Sequence, residues 1–348
     1  MSNVRAAMIG CGNMAQHHLK AILQQPEAGQ FVALCDPDPA ALDRSTQKYQ
    51  EARLNPPQSW SSLDAMLADV GRELDAVFIN TPHAFHNDQA VACLEAGADV
   101  LLEKPMAINA DEARSLIRAR DRTGRLLVVS FQGSLSPEVR AAVKMLRSDE
   151  LGEILNIHAV VMQDWKEATT GTWRQNPALS GGGFMFDTGA HLLNTVSDLA
   201  GEEFEEVAAW IDNRGTPVDI QVAAIGRLKS GAMVTLSGCG DTIPGVERSE
   251  FARSDVCGVC TRGVIQTGIW GRYLRLQRRP GRKLRKVQVP AHGGLLAPIP
   301  GRPLRRNGKP QSTGSGPADG LAVGCLASVG SKGGGGNPFG VVAPVSLR

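Results

Sequence analysis

Three stretches of this 348-residue chain hold residue types that do chemistry together. The first is Gly10-Cys11-Gly12-Asn13-Met14-Ala15, which follows one apolar run and opens an amphipathic one. The pattern G-x-G-x-x-A puts a tight turn at Gly10, a close backbone approach for a pyrophosphate at Gly12, and a small packing residue at Ala15. The helix it opens turns unpaired N–H groups and partial positive charge toward the phosphates, with Asn13 and Met14 in its first turn. Asp36 ends the next apolar run, and a carboxylate there accepts hydrogen bonds from a ribose diol while repelling a 2′-phosphate. Pro37, Asp38 and Pro39 follow it, with no Arg or Lys close by. The expected cofactor is therefore NAD, with NADP the weaker ligand.

The second stretch is a pair of loops. Asn80-Thr81-Pro82, with His83 and His86 after it, follows one apolar run, and Glu103-Lys104-Pro105 follows another. In a doubly wound sheet, ligands lie outside the carboxyl ends of the strands, where both tripeptides fall. Pro105 biases Lys104 toward extended backbone, and Lys104-Pro105 is a candidate cis peptide. Taken alone, a lysine at a strand end is more often a solvated charge. The third stretch runs from Trp173-Arg174 through Ser180-Gly181-Gly182-Gly183 to His191. The residues after the glycines are predicted as one helix through Leu199, so Asp187 and His191 fall at i and i+4 on one face. Gly183 leaves room at the start of that helix. Gly189 inside it costs about 1 kcal/mol against alanine, and a close neighbour such as the cofactor explains it. Taken alone, D-x-x-x-H is more often a buried histidine capped by its own-turn aspartate, and Glu103-Lys104-Pro105 upstream reverses that balance.

These groups must be held by something. Strands are predicted at Val4–Ile9, Phe31–Cys35, Ala76–Ile79, Val100–Leu102 and Leu126–Ser130, with helices near Met14–Leu23, Pro39–Tyr49, Leu63–Leu67, Phe85–Ala96 and Ala110–Arg122. Strands alternating with helices imply a parallel sheet covered on both faces. After Ser130 the rhythm changes to a helix at Pro137–Arg147 and then to β-rich text. The runs at Ile154–Gln163, Glu206–Ile211, Ile220–Arg227, Ala232–Ser237, Val264–Thr267, Tyr273–Gln277 and Lys286–Val289 suggest an antiparallel sheet. The expected division is a dinucleotide-binding domain over residues 1–126, a sheet domain over 127–291, and a tail over 292–348.

GCGNMA, Asp36, NTP, His86 and EKP, in this order, resemble the Gfo/Idh/MocA oxidoreductases, a group that includes inositol dehydrogenases and glucose–fructose oxidoreductase. Trp173-Arg174 and GGG-x-x-x-D-x-G-x-H resemble the second signature of that family. The resemblance implies an N-terminal Rossmann domain followed by an α+β domain with a large open, mostly antiparallel sheet. It covers about Val4 to Gly245, returning more weakly from Gly263 to Pro290. It implies that Lys104, Asp187 and His191 are catalytic, and that Gly10, Gly12, Asn13, Met14, Asp36, Asn80, Thr81, Pro82, His86, Glu103 and Lys104 face the cofactor. Lys104, Trp173, Arg174, Asp187, His191 and Asn194 would face the substrate. Asn194 stands where many members carry an aspartate. Members usually associate through the open sheet, which implies a homodimer or homotetramer.

The residue types suit oxidation of a secondary hydroxyl of a sugar, polyol or cyclitol by NAD. His191, with an ordinary pKa near ~6.5, takes the hydroxyl proton. Lys104 hydrogen-bonds the same oxygen, and Asp187 orients the imidazole or binds a second hydroxyl. No metal is required. A non-catalytic, dinucleotide-sensing regulator on the same fold is the competing reading, and the joint presence of Lys104, Asp187 and His191 argues for the enzyme.

Composition narrows the remaining choices. Hydrophobic residues make up 42% and charged residues 21%, which excludes a wholly disordered or fibrous chain. No run reaches the ~18 apolar residues of a membrane span, no signal peptide is evident, and seven scattered cysteines suit a reducing cytoplasm. Residues 1–255 hold 22 basic and 34 acidic side chains, whereas residues 256–348 hold 15 basic ones and a single acid, Asp319. The acidic majority argues against nucleic-acid binding, and the basic run Arg272–Lys286 is expected to be a solvated sheet face. Cys257 and Cys260 form a lone C-x-x-C without a second ligand pair. The last 57 residues hold 14 Gly and 7 Pro with no strand or helix period, and residues 247–262 also depart from the surrounding text. The expectation is a shifted reading frame at both places, compensated in the first and not in the second, with a poorly ordered tail.

Overall fold

The computed structural model describes residues 4–24, 26, 29–246, 254–281 and 283–289. The N-terminal part alternates β1 (Val4–Ile9), α1 (Asn13–Leu23), β2 (Gly29–Cys35), α2 (Pro39–Glu51), β3 (Gln58–Trp60), α3 (Leu63–Val70), β4 (Ala76–Ile79), α4 (His86–Glu95), β5 (Asp99–Leu102), α5 (Ala110–Thr123) and β6 (Leu127–Val129). The strands lie in the order β3-β2-β1-β4-β5-β6, and every pair is parallel. That is the doubly wound order, with its switch point between β1 and β4.

Pattern accounts for the layers. Along β1, Ala7 and Ile9 enter one apolar cluster while Ala6 and Met8 enter another on the opposite face. A strand buried on both sides reads as an unbroken apolar run, as Ala6–Ile9 does. Helix α1 buries Ala15, His18, Leu19 and Ile22, one face at helical spacing. Helix α2 starts on an Asp38 cap with Pro39 in its first turn, and α5 starts on an Asn109 cap.

Two sequence expectations need correction. Strand β3 was not anticipated; it is three residues at the sheet edge, with Gln58 and Ser59 exposed, so it carries no apolar run. The expected boundary after residue 126 cuts the wrong place, because Leu127–Val129 pairs with β5 as the sixth strand.

The second domain comprises α6 (Gln132–Leu135), α7 (Pro137–Arg147), β7 (Ile154–Met162), α8 (Trp165–Thr169), α9 (Pro177–Ser180), α10 (Phe184–Asp187), α11 (Gly189–Ala200), β8 (Phe204–Asp212), β9 (Gln221–Leu228), β10 (Met233–Cys239), β11 (Asp255–Cys260), β12 (Gly263–Gly268), β13 (Gly271–Arg278) and β14 (Arg285–Lys286). Its strands lie in the order β14-β13-β12-β11-β7-β10-β9-β8. All pairs are antiparallel except β10 with β7, so the sheet is mixed. One face packs Ile157, Ala159 and Val161 of β7 with Phe184, Leu192 and Val196 of α10 and α11. The other carries His158, hydrogen-bonded to Thr235, and the exposed side chains of Trp210, Ile225 and Met233.

Asp255–Cys260 sits between β7 and β12 with alternating burial, and its ladder to β7 shifts only at Val259/Cys260. Cys257 and Cys260, three apart on a strand, point to opposite faces. Residues 247–253 and 290–348 lie outside the described residues, and with them the expectations for the tail.

Candidate active site

The phosphate loop joins β1 to α1. Gly10 has φ +79°, and a Cβ there would meet the Asn80 carbonyl carbon at 2.9 Å, so both backbone sign and space require glycine. Its N–H donates to the Cys35 carbonyl, which ties the loop to the end of β2. At Asp36, Oδ2 accepts from Cys11 N at 2.7 Å and Oδ1 from Asp38 N at 2.8 Å. Each carboxylate oxygen keeps further acceptor capacity, so Asp36 is fixed in place yet still able to take ribose hydroxyls. Gly12 caps α1 without a side-chain bond, and an added Cβ there would meet nothing within 4 Å. The first turn of α1, with Asn13 and Met14, therefore opens onto free space. Across the switch point, both amide atoms of Asn80 are sealed from solvent and have no partner. An anion-binding helix end, an anchored carboxylate and an orphaned buried amide together fit a dinucleotide.

Other loop residues are already engaged. Thr81 donates to Gln89 at 2.6 Å. Pro82 leads into the single turn His83–Phe85. His86, expected to face the cofactor, is instead buried against backbone: Nδ1 lies 2.8 Å from the Pro105 carbonyl and Nε2 3.0 Å from that of Thr81. Burial pushes its pKa down, so the ring has one N–H and bonds one of these carbonyls at a time. It braces the Asn80-Thr81-Pro82 loop against the Lys104-Pro105 loop, whose peptide bond is cis. Glu103, also expected to face the cofactor, is 7% exposed and pairs with His18 of α1 at 2.9 Å. Both side chains join loops to a helix, His86 through its ring nitrogens and Glu103 through Oε1.

Lys104 reaches across to the second domain. Its Nζ donates to Asp187 Oδ1 at 2.5 Å and to the Asp187 carbonyl at 3.1 Å. Oδ2 of Asp187 accepts from Trp165 Nε1 at 2.9 Å and from Arg174 Nε at 3.1 Å. Burial alone would raise the pKa of Asp187, but Lys104 and Arg174 more than reverse this and hold it far below the usual carboxylate range. The Arg174 guanidinium also lies over the Trp173 ring, 4.5 Å from its centroid.

The helix carrying Asp187 is positioned by Asp219, which no sequence signal singled out. Its carboxylate accepts from Gly183 N at 2.6 Å and Met185 N at 2.8 Å, and its carbonyl from Phe184 N at 2.8 Å. A Cβ at Gly183 would stand 2.0 Å from that carbonyl oxygen, so the third glycine makes room for Asp219. Gly189 has a different neighbour from the one expected: Met185 Sδ would lie 2.5 Å from its Cβ. The expected single helix breaks at Thr188 into α10 and α11.

Asp187 does not orient His191 as expected, since its oxygens are spent on Lys104, Trp165 and Arg174. The His191 ring instead packs edge-on against Phe131 and Trp270, with centroids at 5.8 and 6.1 Å. Its Nδ1 is sealed without a partner, and Nε2 has none among the described residues. Asn194, on the next turn, donates to Ser134 and to Asp198, the latter at 3.5 Å, rather than toward Lys104.

Burial pushes the pKa of both His191 and His83 down to about 3, with the Lys104 charge lowering them further and Asp187 opposing. The expectation of an ordinary histidine pKa thus fails for His191. Between their unfolded value near ~6.5 and about 3, the unfolded chain binds protons the folded one refuses. Their contribution to stability is complete above pH ~6.5 and is lost as pH falls through that window. Urea midpoints measured from pH 7 to 4 are expected to fall, and His191→Phe is expected to make the slope shallower by up to one proton. An unchanged slope would contradict the buried neutral ring.

Comparison with known proteins bears on this arrangement. Residues 4–131 match the family model described as oxidoreductase family, NAD-binding Rossmann fold, and residues 139–255 match the GFO/IDH/MocA C-terminal domain. An uncharacterised oxidoreductase of Rhizobium meliloti is 31% identical over 215 residues, covering 61% of this chain and 60% of that protein. The D-glucoside 3-dehydrogenase of Escherichia coli is 27% identical over 200 residues, covering 58% and 55%. The chain thus spans under two thirds of the length of these curated relatives. Among solved structures, levoglucosan dehydrogenase in complex with NADH and levoglucosan shares the fold, with a TM-score of 0.69 at 22% identity, covering 82% of this chain and 80% of that one.

Proposed function

Because the chain belongs to the GFO/IDH/MocA oxidoreductase family, with an NAD-binding Rossmann domain, we propose that it is an NAD-dependent dehydrogenase acting on a secondary hydroxyl of a sugar, polyol or cyclitol. The observation that carries this reading is the Lys104–Asp187 contact at 2.5 Å. It brings a strand-end lysine of the dinucleotide-binding domain onto the helix that leads to His191. The relatives named above act on a glucoside and bind levoglucosan, which supports a polyhydroxylated substrate.

When bound, NAD supplies the hydride acceptor. Lys104 has three N–H donors, and two are used on Asp187, which leaves the third for the oxygen of the reacting hydroxyl. A donor so placed favours the alkoxide character that develops there. His191 is neutral at physiological pH and neither ring nitrogen has a partner among the described residues, so its unprotonated nitrogen can accept the hydroxyl proton. Asp187 is the charge that opposes burial and Lys104 at His191, and the pKa of about 3 is what remains with its support. Trp173 and Arg174, stacked on one another, form a wall suited to the face of a sugar ring. Asp36, Gly10, Gly12 and the open end of α1 hold the adenosine and pyrophosphate, and Asp36 selects NAD over NADP.

We place the enzyme in the cytoplasm as a homodimer or homotetramer joined through the outer face of its eight-stranded sheet. Among the described residues six cysteines are free and no helix is long and apolar enough to cross a membrane, which suits that reading. The test is titration of the purified chain with NAD and NADP, followed by NADH absorbance against a panel of sugars and cyclitols. Tighter NAD binding and turnover of at least one polyol are expected. NAD binding without turnover of any polyol would overturn the dehydrogenase reading, and tighter NADP binding would overturn the role given to Asp36.

A further inference from the structure

His83 is not used by the chemistry above, yet it sits where the two domains meet beside it. It follows Pro82 of the cofactor loop and is 3% exposed. Its Nδ1 lies 2.8 Å from the carbonyl of Ser180 in the second domain. Its ring stands edge-on to Trp173, centroids 4.7 Å apart at 84°, and lies 6.1 Å from Phe186. The charges of Asp187 and Lys104 both act on it.

These contacts fix the chemistry of the ring. A carbonyl can only accept, so Nδ1 must carry the proton. Burial keeps the ring neutral, so Nε2 is left as a bare acceptor. Nε2 has no partner among the described residues, and it is not among the sealed polar atoms. A neutral acceptor of fixed tautomer, held between the cofactor loop and the Trp173 wall, is built to receive one hydroxyl donor.

We propose that His83 is a specificity-determining residue whose Nε2 accepts a hydrogen bond from a hydroxyl of the bound ligands, beside the Lys104–Asp187 pair. This rests on the dehydrogenase reading. The hydroxyl belongs either to the polyol substrate or to the nicotinamide ribose. Two variants separate acceptor from shape: His83→Phe keeps the ring and its packing on Trp173, whereas His83→Gln restores an acceptor near Nε2 without the ring.

The experiment compares wild type with both variants for NAD Kd, and for kcat and KM on the best polyol of the panel, with thermal unfolding to show that each is folded. His83→Phe is expected to lose roughly tenfold in one of these affinities, the scale of one hydrogen bond left unmade, and His83→Gln to recover most of it. A rise in KM with NAD Kd unchanged assigns the hydroxyl to the substrate, and a rise in NAD Kd assigns it to the ribose. His83→Phe with wild-type constants, or an equal loss in both variants, overturns the proposal and leaves the dehydrogenase reading intact. A wild-type chain that binds NAD but oxidises no polyol overturns that reading and this proposal together.

Discussion

Asp187→Ala is expected to remove turnover and fold stability together. The side chain is 8% exposed and its two oxygens accept from Lys104, Trp165 and Arg174. Its loss leaves a half-buried ammonium and an indole N–H without their acceptor, and breaking a buried ion pair of this kind costs about 3–5 kcal/mol. Urea denaturation is expected to show a loss of that size. The kcat is expected to fall by about 10²–10⁴, because the charge that supports an imidazolium at His191 is gone. Asp187→Asn keeps a carbonyl acceptor for Trp165 and is expected to recover part of the stability but little of the rate. A stable, active Asp187→Ala would mean that the contacts at this carboxylate are surface chemistry.

Lys104→Met should separate the two effects. Asp187 would still be paired with Arg174 at 3.1 Å and hydrogen-bonded to Trp165, so its charge is not stranded. The variant is therefore expected to be less destabilised than Asp187→Ala. Its kcat is expected to fall by about 10²–10³, the usual effect of removing one donor to a developing oxyanion. NAD affinity is expected to stay at the wild-type value, since the phosphate loop and Asp36 do not touch Lys104. Steady-state kinetics with NAD titration tests all three statements. An Lys104→Met enzyme that turns over normally would remove the lysine from the chemistry.

What could be read in the sequence was what is local. The turn at Gly10, the helix opening at Asn13 and the carboxylate at Asp36 lie within one β-α-β unit, where period and turn chemistry speak directly. Long strands with apolar runs were also legible, whereas β3, with two exposed residues of three, had no pattern to see. The site itself depends on contacts between distant parts of the chain. Lys104 meets Asp187 across 83 positions, and Asp219 caps α10 from 34 to 36 positions away. No periodicity encodes such pairings. For the same reason the spacing of Asp187 and His191 suggested a bond between them that the structure gives to Lys104, Trp165 and Arg174. The fall of the His191 pKa to about 3 is likewise a consequence of burial against Phe131 and Trp270, which residue type alone does not reveal. His86 and Glu103 were recognised by motif, but their bonds to Pro105, Thr81 and His18 make them braces of the loops.

The central claim is that this chain moves a hydride from a carbinol carbon to a nicotinamide. The direct measurement uses a polyol from the panel deuterated at the carbon that is oxidised, with purified chain and NAD. Mass spectrometry of the NADH formed reports where the deuterium goes. The account predicts one deuterium in the NADH from wild type, and none formed with Lys104→Met on the same timescale. NADH free of deuterium, or none formed from any polyol by protein that binds NAD, would contradict it.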